Sequence, residues 1–429
     1  MKRILLACLL GVFALLAQAG PKIEHWTAPS GARVVFVESR VVPIIDVQVD
    51  FAAGGAYAPA DKTGLAGLTR GLLDMGAGEL DEEMIADRLA DIGARLGGGA
   101  DQDRSSISLR SLSSPREREA ALELMRLVLQ QPAFPAAVLE REKARTVAGI
   151  READTRPASI AAKRFAAALY PAHPYGRSAS VESIERIARD DLVAFYRAHY
   201  GARRAVVSII GDLARAEAEA IAQRLTQGLP DASAEVSLPD TVLPAKNAVR
   251  IDHPASQAHI LLGLPAVRRG DPDYIPLLVG NYILGGGGFV SRLMKEVREK
   301  RGYAYSVYSY FLPQKQHGPF QVGLQTKREQ AKDALKVVED VLAEFLAGGP
   351  SEVELKAARR NLADGFPLRI DSNRKLLEYL AVIGFYGLPL SYLDDFPRKV
   401  EAVTVADIRA AFARHVKPEH FVTVIVAGD

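Results

Sequence analysis

Eight histidines are spread along this chain, at His25, His173, His199, His253, His259, His317, His415 and His420, and no two stand four residues apart. No helix can therefore present two imidazoles, one turn apart, to a single metal ion. The only cysteine is Cys8, and no G-x-S-x-G stretch offers a serine nucleophile. "LGGGGF", with Gly285, Gly286, Gly287 and Gly288, lacks the Gly-Lys-Ser/Thr ending of a phosphate loop and is expected to form a flexible hairpin. What remains is Arg298 and Tyr305. In "SRLMKEVREKRGYAYSVYSYF", Ser291 can cap a helix running to about Lys300, Gly302 ends it, and "YAYSVYSYF" alternates as a strand. The glycine turn folds Arg298 back toward Tyr305. Taken locally, the two are either a solvated cation and a packing aromatic or two donors on one surface.

The elements that must position this pair occur twice. "DDLVAFYRAHYGARRAVVSIIGD", ending at Asp212, matches "ADIRAAFARHVKPEHFVTVIVAGD", ending at Asp429; each is a helix, then an apolar β-run closing on Gly-Asp. Upstream, "AALELMRLVLQQPAFPAAVLEREKARTVAG" matches "DALKVVEDVLAEFLAGGPSEVELKAARRNLADG". The chain is a tandem duplication. His199 and His415 fall at equivalent places, ahead of the last strand of each half, which points to a structural or capping role. Between the halves, Pro230, Pro239 and Pro244 mark an extended linker over 231–247, separating a domain at 20–230 from one at 248–429. Helices and β-runs do not alternate strictly. The expected class is therefore α+β, with two homologous domains, each a largely antiparallel sheet with helices on one face.

Composition narrows the function classes. The apolar and charged fractions, 48% and 25%, are those of a globular protein. Lys2 and Arg3 account for the whole formal charge of +2, so residues 20–429 are neutral and give no electrostatic case for nucleic acid or an anionic membrane. Residues 1–19 have a basic start, an apolar run of about 13 residues where a bilayer span needs ~20, and Ala17-Gln18-Ala19 before Gly20. This is the pattern of a cleaved export signal. The expected location is an exported compartment such as a bacterial periplasm, with no membrane span and no thiol left after cleavage.

The duplication, "DFAAGGAYAPADKTGLAGL", "HPYGRSASVESIERI" and "LGGGGFVSRLMKEVREKRGYAYSVYSYF" together resemble the pitrilysin/insulinase-type (inverzincin) zinc metallopeptidases over essentially the whole chain. Active members carry H-x-x-E-H on the helix after the Gly-Leu-Ala segment and a further Glu ligand on a later helix. The matching positions here are Gly67, Arg70 and Gly71, with the later ligand at about Gly149. Both imidazoles are replaced by glycine, the base by a cation, and nearby Glu152 alone cannot hold zinc. The resemblance is thus to the non-catalytic subunit of a heterodimer whose H-x-x-E-H partner would supply Zn. It implies that Tyr305 donates to a substrate carbonyl, that Arg298 holds a neighbouring one, and that Gly285–Gly288 lie at the mouth of a peptide groove in half of a clamshell chamber. "LGGGAD", Leu96 to Asp101, falls where family members place an edge strand, and is expected to be a loop in a metal-free half. A scaffolding or peptide-binding role without proteolysis is the alternative.

Overall fold

The computed structural model describes residues 21–232 and 237–428. The proposed export signal, 1–19, lies outside the described residues. Among those that are described, no helix is long and apolar enough to cross a membrane.

Among the described residues, thirteen strands build two large sheets and one small hairpin. In the first half they are β1 (Glu24–Thr27), β2 (Arg33–Glu38), β3 (Ile44–Phe51), the hairpin β4 (Gly76–Ala77) and β5 (Leu80–Asp81), β6 (Arg95–Ala100), β7 (Ser105–Leu112) and β8 (Val206–Gly211). The second half has β9 (Asn247–Asp252), β10 (Gln257–Val267), β11 (Ala304–Phe311), β12 (Gly318–Lys327) and β13 (Val422–Ala427). The sheet orders are β1-β2-β8-β3-β7-β6 and β11-β12-β10-β13-β9. In each sheet a single parallel pair, β2 with β8 and β13 with β9, sits among antiparallel ones. By topology β11 is therefore the counterpart of β6, and both are sheet edges.

Patterning explains the layers. Ile45, Val47, Val49 and Phe51 alternate on one face of β3 and are wholly buried against the helices of their own half. β2 and β8, inner strands buried on both faces, are almost continuously apolar. Their second face is covered by the other half. The Asn373–Tyr386 helix lies on β8, β3 and β2, while the Pro157–Leu169 helix of the first half lies on β13 and β10. Gly384 makes the first contact possible, because a Cβ there would stand 2.7 Å from a Val206 methyl. The α+β class is as expected, with one addition. Each half lends a helix to the other, so the two sheets do not simply face each other across a gap.

The halves are also joined by a buried polar knot. Asp103, 1% exposed, accepts from the Tyr175 and Tyr386 hydroxyls and, at 2.8 Å, from the Lys315 amide. The extended 237–247 segment is tied down as well. His173 and Gln316 bind the Pro239 and Leu238 carbonyls, and His420 binds that of Pro244.

Candidate functional site

The positions that resemble metal ligands lie on two helices of the first half, Leu65–Leu72 and Ala136–Ala153. Gly67 and Gly149 are exposed and Gly71 half-buried, and a Cβ placed on any of the three would meet nothing within 4 Å. Arg70 points the other way, into the protein, and is 6% exposed. Its Nε donates to the Ser106 carbonyl on β7 at 2.6 Å and its Nη2 to the Gly97 carbonyl on β6 at 2.5 Å, with Asp74 at 3.4 Å. The guanidinium thus pins the helix to the edge of the sheet. Gly98, at φ 124°, passes over it where a Cβ would strike Ser106 O at 2.1 Å and Arg70 Nη2 at 2.9 Å. Glu152 is exposed and sits 3.6 Å from Arg156. A fixed cation and three side chains without donor atoms do not fit a zinc ion.

Leu96–Asp101 is not the loop expected. Leu96 to Ala100 belong to β6, paired with β7 on one side and forming the sheet edge on the other. Glycine weakens a strand locally, but the pairing with Ser105–Leu112 and the Arg70 clamp hold the segment extended.

In the second half Arg298 and Tyr305 meet as the turn predicts. Ser291 Oγ accepts from Met294 N at 3.4 Å, a π-turn spans Met294–Glu299, and Gly302 takes a left-handed φ of 65°. The Arg298 guanidinium carbon lies 4.8 Å from the Tyr305 ring centre and 4.8 Å from that of Phe289, so it is flanked by two aromatic faces. Both rings are open to solvent, Tyr305 at 84% and Phe289 at 63%. Tyr305 is the odd residue of a bulge in β11, because the register on β12 passes from Ala304–Thr326 directly to Ser306–Gln325. The bulge turns the ring out from the sheet edge. Neighbouring cations are paired, Arg292 with Glu354 and both Lys300 and Arg301 with Glu296. No carboxylate among the described residues pairs with Arg298. With its faces covered, its free N–H groups point in the plane of the fork, where carbonyl or carboxylate oxygens bind.

Phe289 escaped the sequence reading, although it closes the "LGGGGF" stretch. That stretch is not a flexible hairpin. Gly285 and Gly286 end a helical run from Tyr274 that widens into a π-turn over Tyr282–Gly286, and Gly288–Val290 form a 3-10 turn. A Cβ on Gly285 would lie 2.4 Å from Ser309 Oγ on β11, so glycine permits close helix–strand contact. Asn281 secures the same contact, its Nδ2 donating to Ser309 O at 3.0 Å. Gly287 and Gly288, at φ 60° for the latter, bring Phe289 over Arg298.

The two equivalent histidines serve structure. His199 Nδ1 binds the Ala52 carbonyl at 3.2 Å, and His415 Nδ1 binds that of Ala266 at 2.8 Å, equivalent contacts in the two halves. Burial pulls the His199 imidazole down to about 4. Asp271, Asp273 and His415 form the one group of described residues whose ligand atoms lie close enough for an ion. There Arg414 already holds Asp273 through two nitrogens at 2.7 Å.

Comparisons agree with this geometry. Residues 33–181 match the family model described as Insulinase (Peptidase family M16), and 186–362 match that of the Peptidase M16 inactive domain. The crystal structure of a peptidase M16 inactive domain from Pseudomonas fluorescens superposes with a TM-score of 0.92 at 39% identity, covering 95% of this chain and 98% of that one. A Helicobacter pylori relative described as a non-peptidase homolog is 26% identical over 100% of this chain and 99% of its own. An uncharacterized zinc protease of Mycobacterium bovis is 28% identical over 91% of this chain and 90% of its own.

Proposed function

We propose that this chain, which belongs to the insulinase (M16) peptidase family and is an inactive member of it, is the non-catalytic subunit of a heterodimeric peptidase. A homologous chain with intact H-x-x-E-H supplies zinc and the attacking water, and this chain closes the other side of the chamber. The single observation that carries the reading is the Arg298–Tyr305 pair. A guanidinium without an ion partner, on the turn before β11, and a phenol turned outward by a bulge in that free edge strand stand together. A side chain that only packs would not be 84% exposed.

An extended peptide adding to β11 would place its carbonyls beside these donors. The Tyr305 hydroxyl would donate to the oxygen on which negative charge develops, and the in-plane N–H groups of Arg298 to a neighbouring carbonyl. Gly285–Gly288 act through Phe289, by setting the ring that holds Arg298 in place. Export to a compartment such as the periplasm belongs to the same proposal and rests on the sequence of residues 1–19. The relative described as a non-peptidase homolog favours one further reading, in which the same surface binds peptide without any hydrolysis.

The test is hydrolysis of unfolded peptides by this chain, by an H-x-x-E-H homologue from the same source, and by their mixture. Activity should appear or rise strongly in the mixture and fall ~100-fold with Tyr305→Phe or Arg298→Ala. An inert mixture, or variants as active as the parent, would transfer the surface to the binding-only or scaffolding role.

A further inference from the structure

Tyr305 also borders a pocket of about 360 Å³ at the Ala304–Ser306 end of β11. Its polar wall is made by Gln257 on β10, Gln325 and Lys327 on β12, and Gln330 just beyond. The register places Gln257 opposite Lys327. Gln325 donates its amide to the Gln257 carbonyl, which leaves the Gln257 NH2 free to donate elsewhere. Ser306 adds a hydroxyl. No aspartate or glutamate lines the pocket. The acid adjacent in sequence, Glu329, is exposed and held by Arg328 at 3.1 Å, and the Lys327 charge adds to the pull on its carboxyl without forming an ion pair. Among the described residues no carboxylate forms an ion pair with Lys327. The pocket therefore offers one unpaired ammonium and several amide and hydroxyl groups.

A side chain that would satisfy this set has to bring acceptors and a negative charge. A strand added along β11 sends alternate side chains to one face, so a residue next to the carbonyl held at Tyr305 comes within reach of the pocket. We propose that the pocket is a specificity pocket that takes an acidic side chain, Asp or Glu, of the bound peptide, with Lys327 as the residue that reads its charge. This rests on the peptide-binding reading above and adds the class of peptide selected.

The experiment titrates the full chain into fluorescein-labelled unfolded peptides that differ only in carrying Glu, Gln or Lys at one position, scanned along the peptide and followed by anisotropy. At one position Glu should bind roughly fivefold more tightly than Gln, and Lys more weakly than either, with the difference shrinking in high salt. Lys327→Gln should remove the discrimination and Lys327→Glu should invert it. Lys327 is exposed, so both variants should keep the parent's far-UV spectrum. Peptides that bind equally whatever the residue, or an order unchanged by Lys327→Glu, would overturn the pocket and leave peptide binding standing. If no peptide binds at all, the peptide-holding role falls and the pocket with it.

Discussion

Arg70 and Arg298 stand beside corresponding edge strands of two homologous halves, though on different helices, and are used in opposite ways. Arg70 is buried, spends its donors on two main-chain carbonyls and locks a helix to the glycine-rich edge strand β6. Arg298 flanks the equivalent edge strand β11 and is held by two rings rather than by side-chain hydrogen bonds to the described residues. A guanidinium placed among ligand positions can thus become part of the framework once the metal is gone. One held only by aromatic faces has no such use to the fold.

Restoring the first half should break this contrast most strongly. Because Cβ atoms at Gly67, Gly71 and Gly149 would enter open space, the combined variant Gly67→His, Arg70→Glu, Gly71→His, Gly149→Glu should bind one zinc per chain. The expected dissociation constant is on the order of micromolar or tighter, ~8 kcal/mol of binding, by calorimetry. A folded variant that takes up no zinc would show that the hollow is not a vacated metal site.

A smaller effect separates the two arginines by stability alone. Arg70→Ala removes a buried donor set and strands the Gly97 and Ser106 carbonyls, and should cost about 2–4 kcal/mol in urea unfolding. Arg298→Ala should stay within about 0.5 kcal/mol, since it loses only exposed ring contacts. Equal losses would erase the distinction.

The smallest expected effect concerns the framework behind Arg70. Asp50 on β3 is fully buried, and burial pushes its carboxyl up to about 7 against the pull of Arg104 at 3.4 Å. Its folded-state value lies above its unfolded one, so its contribution is full below about pH 4 and is lost as pH rises toward about 7. His199, pulled down to about 4, contributes the reverse, a stability that is present above about pH 6.5 and lost as pH falls. The two partly cancel. Asp50→Asn should expose the histidine slope, so that the variant gains stability from pH ~4.5 to ~6.5 more steeply than the parent in denaturant titrations. A parallel pair of curves would mean that Asp50 titrates normally.

Much of this was legible in the sequence because the signals were local or repeated. The Gly302 turn brought Arg298 to Tyr305 as its residue types require, and the duplication gave matching strands closing on Gly-Asp. Other features depended on groups far apart in the chain. β6 reads as a loop because Gly97, Gly98 and Gly99 carry no strand preference, and what holds them is Arg70 and the β7 ladder. Gly285–Gly288 suggested flexibility because glycine marks both mobility and close approach, and only Ser309 across the contact decides between them. Phe289 was invisible as a partner of Arg298, nine positions on, until the π-turn set the geometry. The exchange of helices leaves no sequence mark at all, since an apolar helix face does not say which sheet will cover it.

That exchange bears on how a half that lost its chemistry could be kept. If the duplicated unit was once a separate chain, two copies related by a two-fold axis would have lent each other the same helix, and fusion made that exchange intramolecular. Neither sheet would then be closed without its neighbour, and a lone half would expose apolar β8 or β13 to water. Selection on one half as a folding partner for the other suffices to preserve it, so the first half could shed every ligand and still not be discarded.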